Sequence, residues 1–128
     1  MNAIRAIVIP VDGPLRVEMI AGDRLHHLQG VVGGLIEAVN LSEVLTDTGR
    51  RRVACTVFVN EEGKLLGLPV NPRATDLCAI KIGGWFLDVI VGDVVVVGWP
   101  DDQGGETSCP PEVERIITEW GWPVVDVA

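Results

Sequence analysis

The chain contains few residues of the kinds that form metal sites, disulfides or membrane spans. Its 128 residues include only two histidines and three cysteines, and Cys55, Cys78 and Cys109 are widely spaced, with no CxxC pair. An odd number at such spacing argues against a disulfide framework or a zinc site. Runs without a charged residue, such as 30–36 and 94–100, are far shorter than the roughly 20 apolar residues of a membrane-spanning helix. We therefore expect a cytoplasmic protein with reduced cysteines, no metal, no cofactor and no membrane segment.

Basic residues are scarce in the C-terminal part of the chain. The net charge is −8, from 18 acidic and 10 basic residues. Residues 1–75 contain eight of each sign, whereas 76–128 contain ten acidic residues and only Lys81 and Arg115 as basic ones. A protein that binds the nucleic-acid backbone needs a basic face, so direct binding of this kind is not expected. The acidic part either solubilises an apolar protein or attracts a basic partner.

No stretch of the sequence carries a strong catalytic motif. The adjacent histidines at 26–27 point about 100° apart on a helix and cannot bind one metal together. Cys55 and Cys78 lack a nucleophile signature, and free cysteine is usually buried. Asp88 and Asp93 flank an apolar run, as paired carboxylates for acid–base chemistry would, but an aspartate beside a glycine is typical of a turn. An enzyme of unknown reaction is therefore the least favoured functional class.

Turn signals and hydrophobic alternation predict short strands and one helix in the first half of the chain. The β-branched stretch before the turn at 12–14 and the alternating LRVEMI after it are typical of a hairpin. Asp23 is a suitable helix cap, and the glycines at 33–34 end that helix. The expected order is strand 3–11, strand 15–20, a helix with Leu25, Leu28 and Val32 on one face, strand 35–41, a polar connection 42–52, and strand 53–59 with Val53, Cys55, Val57 and Val59 on one face.

The second half of the chain predicts one more hairpin and two helices. Residues 60–63 fit a hairpin turn, so strand 53–59 is expected to pair antiparallel with 64–68. Asn71 and Pro72 are suited to open a helix that ends by 83–84. The remaining expected elements are two strand-like runs in 85–99 broken at Gly92 and Asp93, a mobile acidic loop over 101–108, and a last helix from Pro110 and Pro111 with Val113, Ile116, Ile117 and Trp120 as its apolar stripe.

These elements favour a single α+β domain over residues 1–128. The segments between strands are too irregular for repeated crossover units, so we expect a mostly antiparallel, strongly bent, barrel-like sheet with about three short helices. Hydrophobic residues make up 48% of the chain and the mean hydropathy is +0.34. This high value favours an apolar surface that a second subunit covers, as in a homo-oligomer.

Four blocks along the chain resemble a known family. They are AIVIPVDGP, VGGLIEAV, VNEEGKLLGLPVNPRAT and DVIVGDVVVVG, in that order. Together they are similar to an uncharacterised family, domain of unknown function 3846, found in tailed phages and in bacteria, notably actinobacteria. The resemblance covers roughly residues 3–105, which leaves part of the acidic loop and C-terminal helix at 101–122 outside it. It implies a phage or mobile-element origin and, for a phage protein, the host cytoplasm, but no activity and no catalytic residues.

The candidate ligand site is the start of the second helix, where the family's recurring residues fall on Asn71, Arg73, Ala74 and Thr75. An arginine in the first turn opposes the helix dipole, so the local helix gives no reason for Arg73. Free N–H groups, a guanidinium and a nearby hydroxyl would together bind an anion. Arg52, in the run of three arginines at 50–52, would join this site if the chain brings it close.

The alternative interpretation of Arg73 is structural. It would then pair with Asp76 or with an acidic residue on the sheet such as Asp88. The leading functional hypothesis is a small non-enzymatic phage-type accessory protein that binds an anionic, nucleotide-like ligand at this helix start. The alternative is an acidic interaction module that engages a basic host protein, as a nucleic-acid mimic or an inhibitor of host defence.

Overall fold

Three helices separate runs of strands along the described part of the chain in the computed structural model. The structure describes residues 3–46, 49–78, 81–82, 85–86 and 89–126, and among these the side chains outside 43–52, 81–86 and 126. In chain order the elements are β1 (Ile4–Ile9), β2 (Leu15–Ile20), α1 (Arg24–Val32), β3 (Ile36–Thr46), β4 (Gly49–Asn60), α2 (Pro72–Cys78), β5 (Lys81–Ile82), β6 (Trp85–Phe86), β7 (Val94–Gly98), α3 (Pro111–Glu119) and β8 (Val124–Asp126).

The main sheet has six strands in the order β3-β4-β7-β1-β2-β8. All neighbouring pairs are antiparallel except β2 and β8, which are parallel. The predicted α+β class with a mostly antiparallel sheet and three short helices is therefore confirmed. The prediction of a barrel-like sheet is wrong. Because β8 adds to the free side of β2, the sheet grows outward and its end strands, β3 and β8, lie at opposite edges.

The opening hairpin forms as the alternation predicts. β1 and β2 pair antiparallel, with Ile4 opposite Ile20 and Val8 opposite Arg16. The connection contains Gly13 with a φ of 86°, a conformation that glycine adopts without steric strain. Period-two burial on β2 places Leu15 and Val17 in the interior, so the local pattern is sufficient to set this register.

The expected hairpin between 53–59 and 64–68 does not form. β4 pairs instead with β3 along its length and with β7 at Cys55–Phe58. Residues 61–67 are turns held by local backbone bonds, such as Leu66 N to Glu62 O and Leu68 N to Gly63 O. At Cys55–Phe58 both edges of β4 are occupied, one by β3 and the other by β7, so the turn-rich segment that follows β4 has no free edge to pair with there.

The predicted polar connection over 42–52 is also wrong, because both strands continue through it. β3 passes a register shift between Leu41 and Glu43 and pairs with β4 as far as Thr46 opposite Gly49. β7 pairs with β4 only at Cys55–Phe58, so this end of the β3–β4 hairpin extends beyond the pairing with β7. Charged residues are tolerated in such an extension, which explains why polarity was a poor guide to the secondary structure here.

Two apolar layers flank the sheet. One lies under α2 and α3 and includes Val53, Cys55, Val57 and Val59, which confirms the predicted inner face of β4. The α3 stripe contributes Val113, Ile116 and Ile117 to the same layer, with Trp120 packed against it. The other layer lies under α1 and is formed by Ile4, Ala6, Val8, Ile20, Leu28, Phe58, Val95 and Val97.

Helix α1 begins and ends at the predicted residues. The Asp23 carboxylate accepts the N–H of His26 at 3.1 Å, and Gly33 ends the helix with a φ of 81°. Leu28 and Val32 are buried as expected, but Leu25 is 52% exposed. With nine residues in α1, seven in α2 and nine in α3, none of the helices in the described part of the chain is long and apolar enough to cross a membrane.

The acidic loop at 101–106 contains internal hydrogen bonds and one ion pair, while its predicted mobility stays a prediction. The Asp101 carboxylate accepts N–H groups from Gln103 at 2.9 Å and Gly105 at 2.8 Å, and the Glu106 carboxylate lies 3.9 Å from Arg24. The Asp101 side chain thus stabilises the loop by bonding backbone N–H groups of the loop itself, a contact that the sequence analysis did not predict.

A polar cluster between α1 and β2 makes stability depend on pH. Burial alone would raise the pKa of Glu18, but hydrogen bonds from His27 and Arg16, and their charges, outweigh burial and lower it. A carboxyl that is more acidic in the folded chain adds stability above its unfolded pKa, about 4.3, and this stability is lost as the pH falls through the folded pKa.

Between about pH 6 and pH 3, urea unfolding should show a larger loss of unfolding free energy for wild type than for Glu18→Gln. Equal losses would contradict this role, and Glu119→Gln, at an exposed site, is the control.

Candidate functional site

Asn71 is a fully buried connector rather than an exposed ligand. Its side chain is 0% exposed, and Nδ2 donates to the carbonyls of Ile9 at 2.8 Å and Gly92 at 3.0 Å. Oδ1 accepts the N–H of Ala74 at 3.1 Å, which confirms Asn71 as the cap of α2. The amide hydrogens and the oxygen are thus bonded within the protein, and they join β1, the turn before β7 and α2.

The side chains of Ala74 and Thr75 also make contacts inside the protein. Ala74 is completely buried in the core. The Thr75 hydroxyl accepts the N–H of Ile90 at 2.9 Å and lies 3.4 Å from its carbonyl oxygen. Together with the bond from Asn71 N to Ile90 O at 2.7 Å, these contacts fix the segment around Ile90 to the start of α2.

Arg73 contacts the backbone rather than a carboxylate. Its Nη2 donates to the carbonyl of Pro10 at 2.7 Å, and the side chain is half-buried. No ion pair joins Arg73 to Asp76 among the described side chains, and Asp76 is exposed. Asp88 lies outside the described residues. Arg52 lies in β4, but its side chain is not among those described, so the expected convergence with Arg73 stays a prediction.

The Pro10 contact gives Arg73 a testable structural role. Removing a charged donor from a partly buried carbonyl should lower the free energy of unfolding by about 1 to 2 kcal/mol in Arg73→Ala, as measured in urea. Arg73→Lys, which keeps a donor on a flexible stem, should recover part of that loss. The anion-site hypothesis predicts the reverse: an alanine variant as stable as wild type that no longer gains stability from inorganic phosphate.

The cysteines and Asp93 have structural surroundings. Cys55, Cys78 and Cys109 are buried free thiols, and burial raises the pKa of Cys55 and of Cys78 to about 12, which disfavours the reactive thiolate. Asp93 accepts the N–H of Val11 at 2.9 Å, as expected for a turn residue. Over the residues described, no three His, Cys, Asp or Glu side chains form a group that could hold a metal ion.

A groove, called here the β3 groove, lies between the start of β3, the end of β4 and two loops. Its volume is about 170 Å³. The apolar lining comes from Val39, Val59, Leu65, Val89, Ile90 and Val91. Glu37, Glu61 and Lys64 also line it, and Asn60 completes the wall. The groove therefore has an apolar surface bordered by two exposed carboxylates and one ammonium group.

Large apolar side chains are exposed around the β3 groove. Leu65, which is 88% exposed, and Val89, which is also exposed, both line the groove, and Leu66, the next residue along the chain, is 60% exposed. Val70 is also exposed and pairs through its backbone with the groove residue Val91. Isolated exposed leucines are common, but several around one concave site are typical of an interaction surface.

A second cavity lies on the other face of β3 and is called here the Asn40 cavity. Its volume is about 190 Å³, and its lining includes Ala38, Asn40, Phe58, Val97 and Glu106. The hydroxyl of Thr56 donates to Asn40 Oδ1 at 2.7 Å across β3 and β4. Residues 37 to 40 thus border one cavity on each face of the same strand.

The β3 groove was not predicted, because segments distant in the sequence assemble it. The nearest signal was the pair Leu65 and Leu66, which was interpreted as part of a strand. In a turn the same leucines have no neighbouring strand to cover them and lie on the surface.

The fold and site define an α+β protein with an open six-stranded sheet and an apolar groove bordered by carboxylates. The family model described as Domain of unknown function (DUF3846) matches residues 4–121, and the chain belongs to that family. This confirms the family resemblance and extends it beyond residue 105 through α3. A search of curated proteins gave no match, and a search of solved structures gave none.

Proposed function

We propose that this protein is a non-catalytic interaction module that binds a basic partner protein through the β3 groove. The observation that supports this proposal is the groove itself, in which exposed apolar side chains lie beside Glu37 and Glu61. An interface commonly combines an apolar centre with a charged rim. The groove has both parts on one concave surface.

The apolar residues supply the driving force for association. Full burial of a leucine side chain is worth about 1.5 to 3 kcal/mol, and Leu65 is 88% exposed in the free protein. A partner that covers Leu65 and Leu66 would recover much of this free energy. The high hydrophobic content of the chain, 48%, is consistent with a surface that a partner covers.

The net charge of the molecule determines the sign of charge that a partner should carry. A chain with a net charge of −8 attracts basic molecules and repels acidic ones at long range. Two carboxylates, Glu37 and Glu61, against one ammonium group, Lys64, give the groove the same sign of charge. The family resemblance makes a phage-type accessory protein that engages a basic host protein, with its acidic surface imitating nucleic acid, the specific form of this proposal.

The hypothesis of an anionic ligand at Asn71–Thr75 has weaker support. Asn71, Ala74 and Thr75 are used by internal contacts, and α2 has seven residues. Only Arg73 offers a partly exposed charge there, and it bonds Pro10. The Arg73→Ala measurement therefore decides this second hypothesis.

A pair of defined peptides tests the interaction-module proposal. The probe is a capped peptide of alternating lysine and valine, and its counterpart alternates glutamate and valine. Titration into labelled protein should shift the amide resonances of groove residues with the lysine peptide only. Glu37→Gln combined with Glu61→Gln should weaken binding about tenfold, whereas Glu119→Gln, an exposed change outside the groove, should not. Equal binding of both peptides, or equal effects of the variants, would contradict the proposal.

A further inference from the structure

β3 forms one edge of the six-stranded sheet. Within the described part of the chain it pairs with β4 alone, and β5 and β6 pair with each other in a separate two-stranded sheet. An edge strand presents a row of N–H and C=O groups to which another extended chain can bond. The register is regular from Ile36 to Leu41 and shifts between Leu41 and Glu43, so the usable edge is the six residues before the shift.

The two faces of this edge segment open into the two cavities. Glu37 and Val39 line the β3 groove, whereas Ala38 and Asn40 line the Asn40 cavity. This alternation follows from the pleat of a strand, which turns successive side chains to opposite faces. A strand added beside β3 would have the same pleat, so its side chains would enter the two cavities in turn.

We propose that the partner binds as an extended basic segment that adds to the outer edge of β3 at residues 36–41. This inference rests on the proposed function and specifies its binding mode. Backbone hydrogen bonds to β3 supply affinity, and alternate side chains in the two cavities supply specificity. Glu37 and Glu61 outnumber Lys64 in the β3 groove, whereas Glu106 in the Asn40 cavity already lies 3.9 Å from Arg24, so the basic side chains of the added segment should face the β3 groove.

Charge favours a basic partner over a second copy of this chain. Each copy carries a net charge of −8, and pairing two β3 edges would bring two such molecules together along strands that each contain Glu37. The irregularity between Leu41 and Glu43 would also interrupt a long symmetric pairing. A segment of opposite charge that pairs only with residues 36–41 meets neither obstacle.

Backbone methylation of the probe peptide tests strand addition directly. Two versions of the lysine–valine peptide carry N-methyl groups on alternate residues, one version on the odd positions and the other on the even positions. Only alternate N–H groups of an added strand face its neighbour. One version should therefore bind at least tenfold more weakly than the parent, and the other within about twofold. Those amide hydrogens of 36–41 that point away from β4 should also exchange more slowly with the parent peptide bound.

The outcomes separate this inference from the proposed function. If both methylated versions bind like the parent, or lose affinity equally, while Glu37→Gln with Glu61→Gln still weakens binding, the groove binds a basic segment without strand addition and the inference is overturned alone. If no lysine peptide binds, both proposals fail. A concentration-dependent dimer in sedimentation, with 36–41 already protected from exchange, would identify a second copy as the occupant and also overturn the inference.

Discussion

Asn71→Ala should lower the free energy of unfolding by about 3 to 5 kcal/mol, a large fraction of the 5 to 15 kcal/mol typical of a domain. The substitution removes three side-chain hydrogen bonds at a position with 0% exposure. It leaves the carbonyls of Ile9 and Gly92 and the N–H of Ala74 without those partners, and each buried unsatisfied group costs about 1 to 3 kcal/mol. Urea unfolding followed by circular dichroism measures the change.

A matched asparagine shows whether burial is the cause. Asn40 is exposed and accepts one hydrogen bond, from the buried Thr56, so Asn40→Ala leaves one buried group unpaired instead of three and should cost only about 1 to 2 kcal/mol. Similar losses in the two variants would mean that the network around Asn71 contributes little. A folded Asn71→Ala protein close to wild type in stability would contradict the structural role assigned to this buried side chain.

Local sequence patterns predicted the elements whose packing depends on near neighbours. The β1–β2 hairpin follows from alternation across a short turn, and α3 follows from the spacing of Val113, Ile116 and Ile117. The caps of α1 at Asp23 and of α2 at Asn71 were also predictable, because a capping side chain acts within three residues.

Long-range pairing was not predictable from such patterns. Whether β4 pairs with 64–68 or with β7 depends on which segment occupies the edge of β4 that β3 leaves free, and that is a property of the whole sheet. β8 was not predicted, because a strand of three residues is too short to show a hydrophobic alternation. Its strand conformation comes from parallel pairing with β2. The sheet is open because its two end strands, β3 and β8, do not pair with each other in the described part of the chain.

In the candidate site, too, local sequence patterns predicted some features and long-range contacts determined the others. The helix dipole argument correctly indicated that α2 alone gives no reason for Arg73, but it could not identify the partner. That partner is the carbonyl of Pro10, 63 residues earlier in the chain. The β3 groove, in contrast, gave almost no local signal, since Val39, Glu61 and Val91 come from three separate segments.

Gly98→Ala should be the most damaging small substitution in the sheet. A Cβ at Gly98 would meet the hydroxyl of Thr107 and would lie 2.5 Å from the carbonyl oxygen of Ser108, distances at which something must move. The 107–109 segment cannot easily retreat, because Gly98 N bonds Thr107 O at 3.0 Å and Cys109 N bonds Arg5 O at 2.8 Å. We expect a loss of about 3 kcal/mol, at the upper end of the range for overpacking.

Gly30→Ala is the same chemical change with the opposite expected sign. A Cβ at Gly30, inside α1, meets no atom within 4 Å, so alanine should raise helix propensity and stabilise the protein by about 0.5 to 1 kcal/mol. The unfolding temperatures and unfolding free energies of the two variants should therefore change in opposite directions from those of wild type.

Gly98 belongs to the lining of the Asn40 cavity. The Gly98→Ala variant should therefore also bind the lysine–valine peptide more weakly at a temperature where it is still folded, whereas Gly30→Ala should bind it with unchanged affinity. A stable Gly98→Ala protein would show that residues 107–109 can shift, and that this wall of the cavity is adaptable.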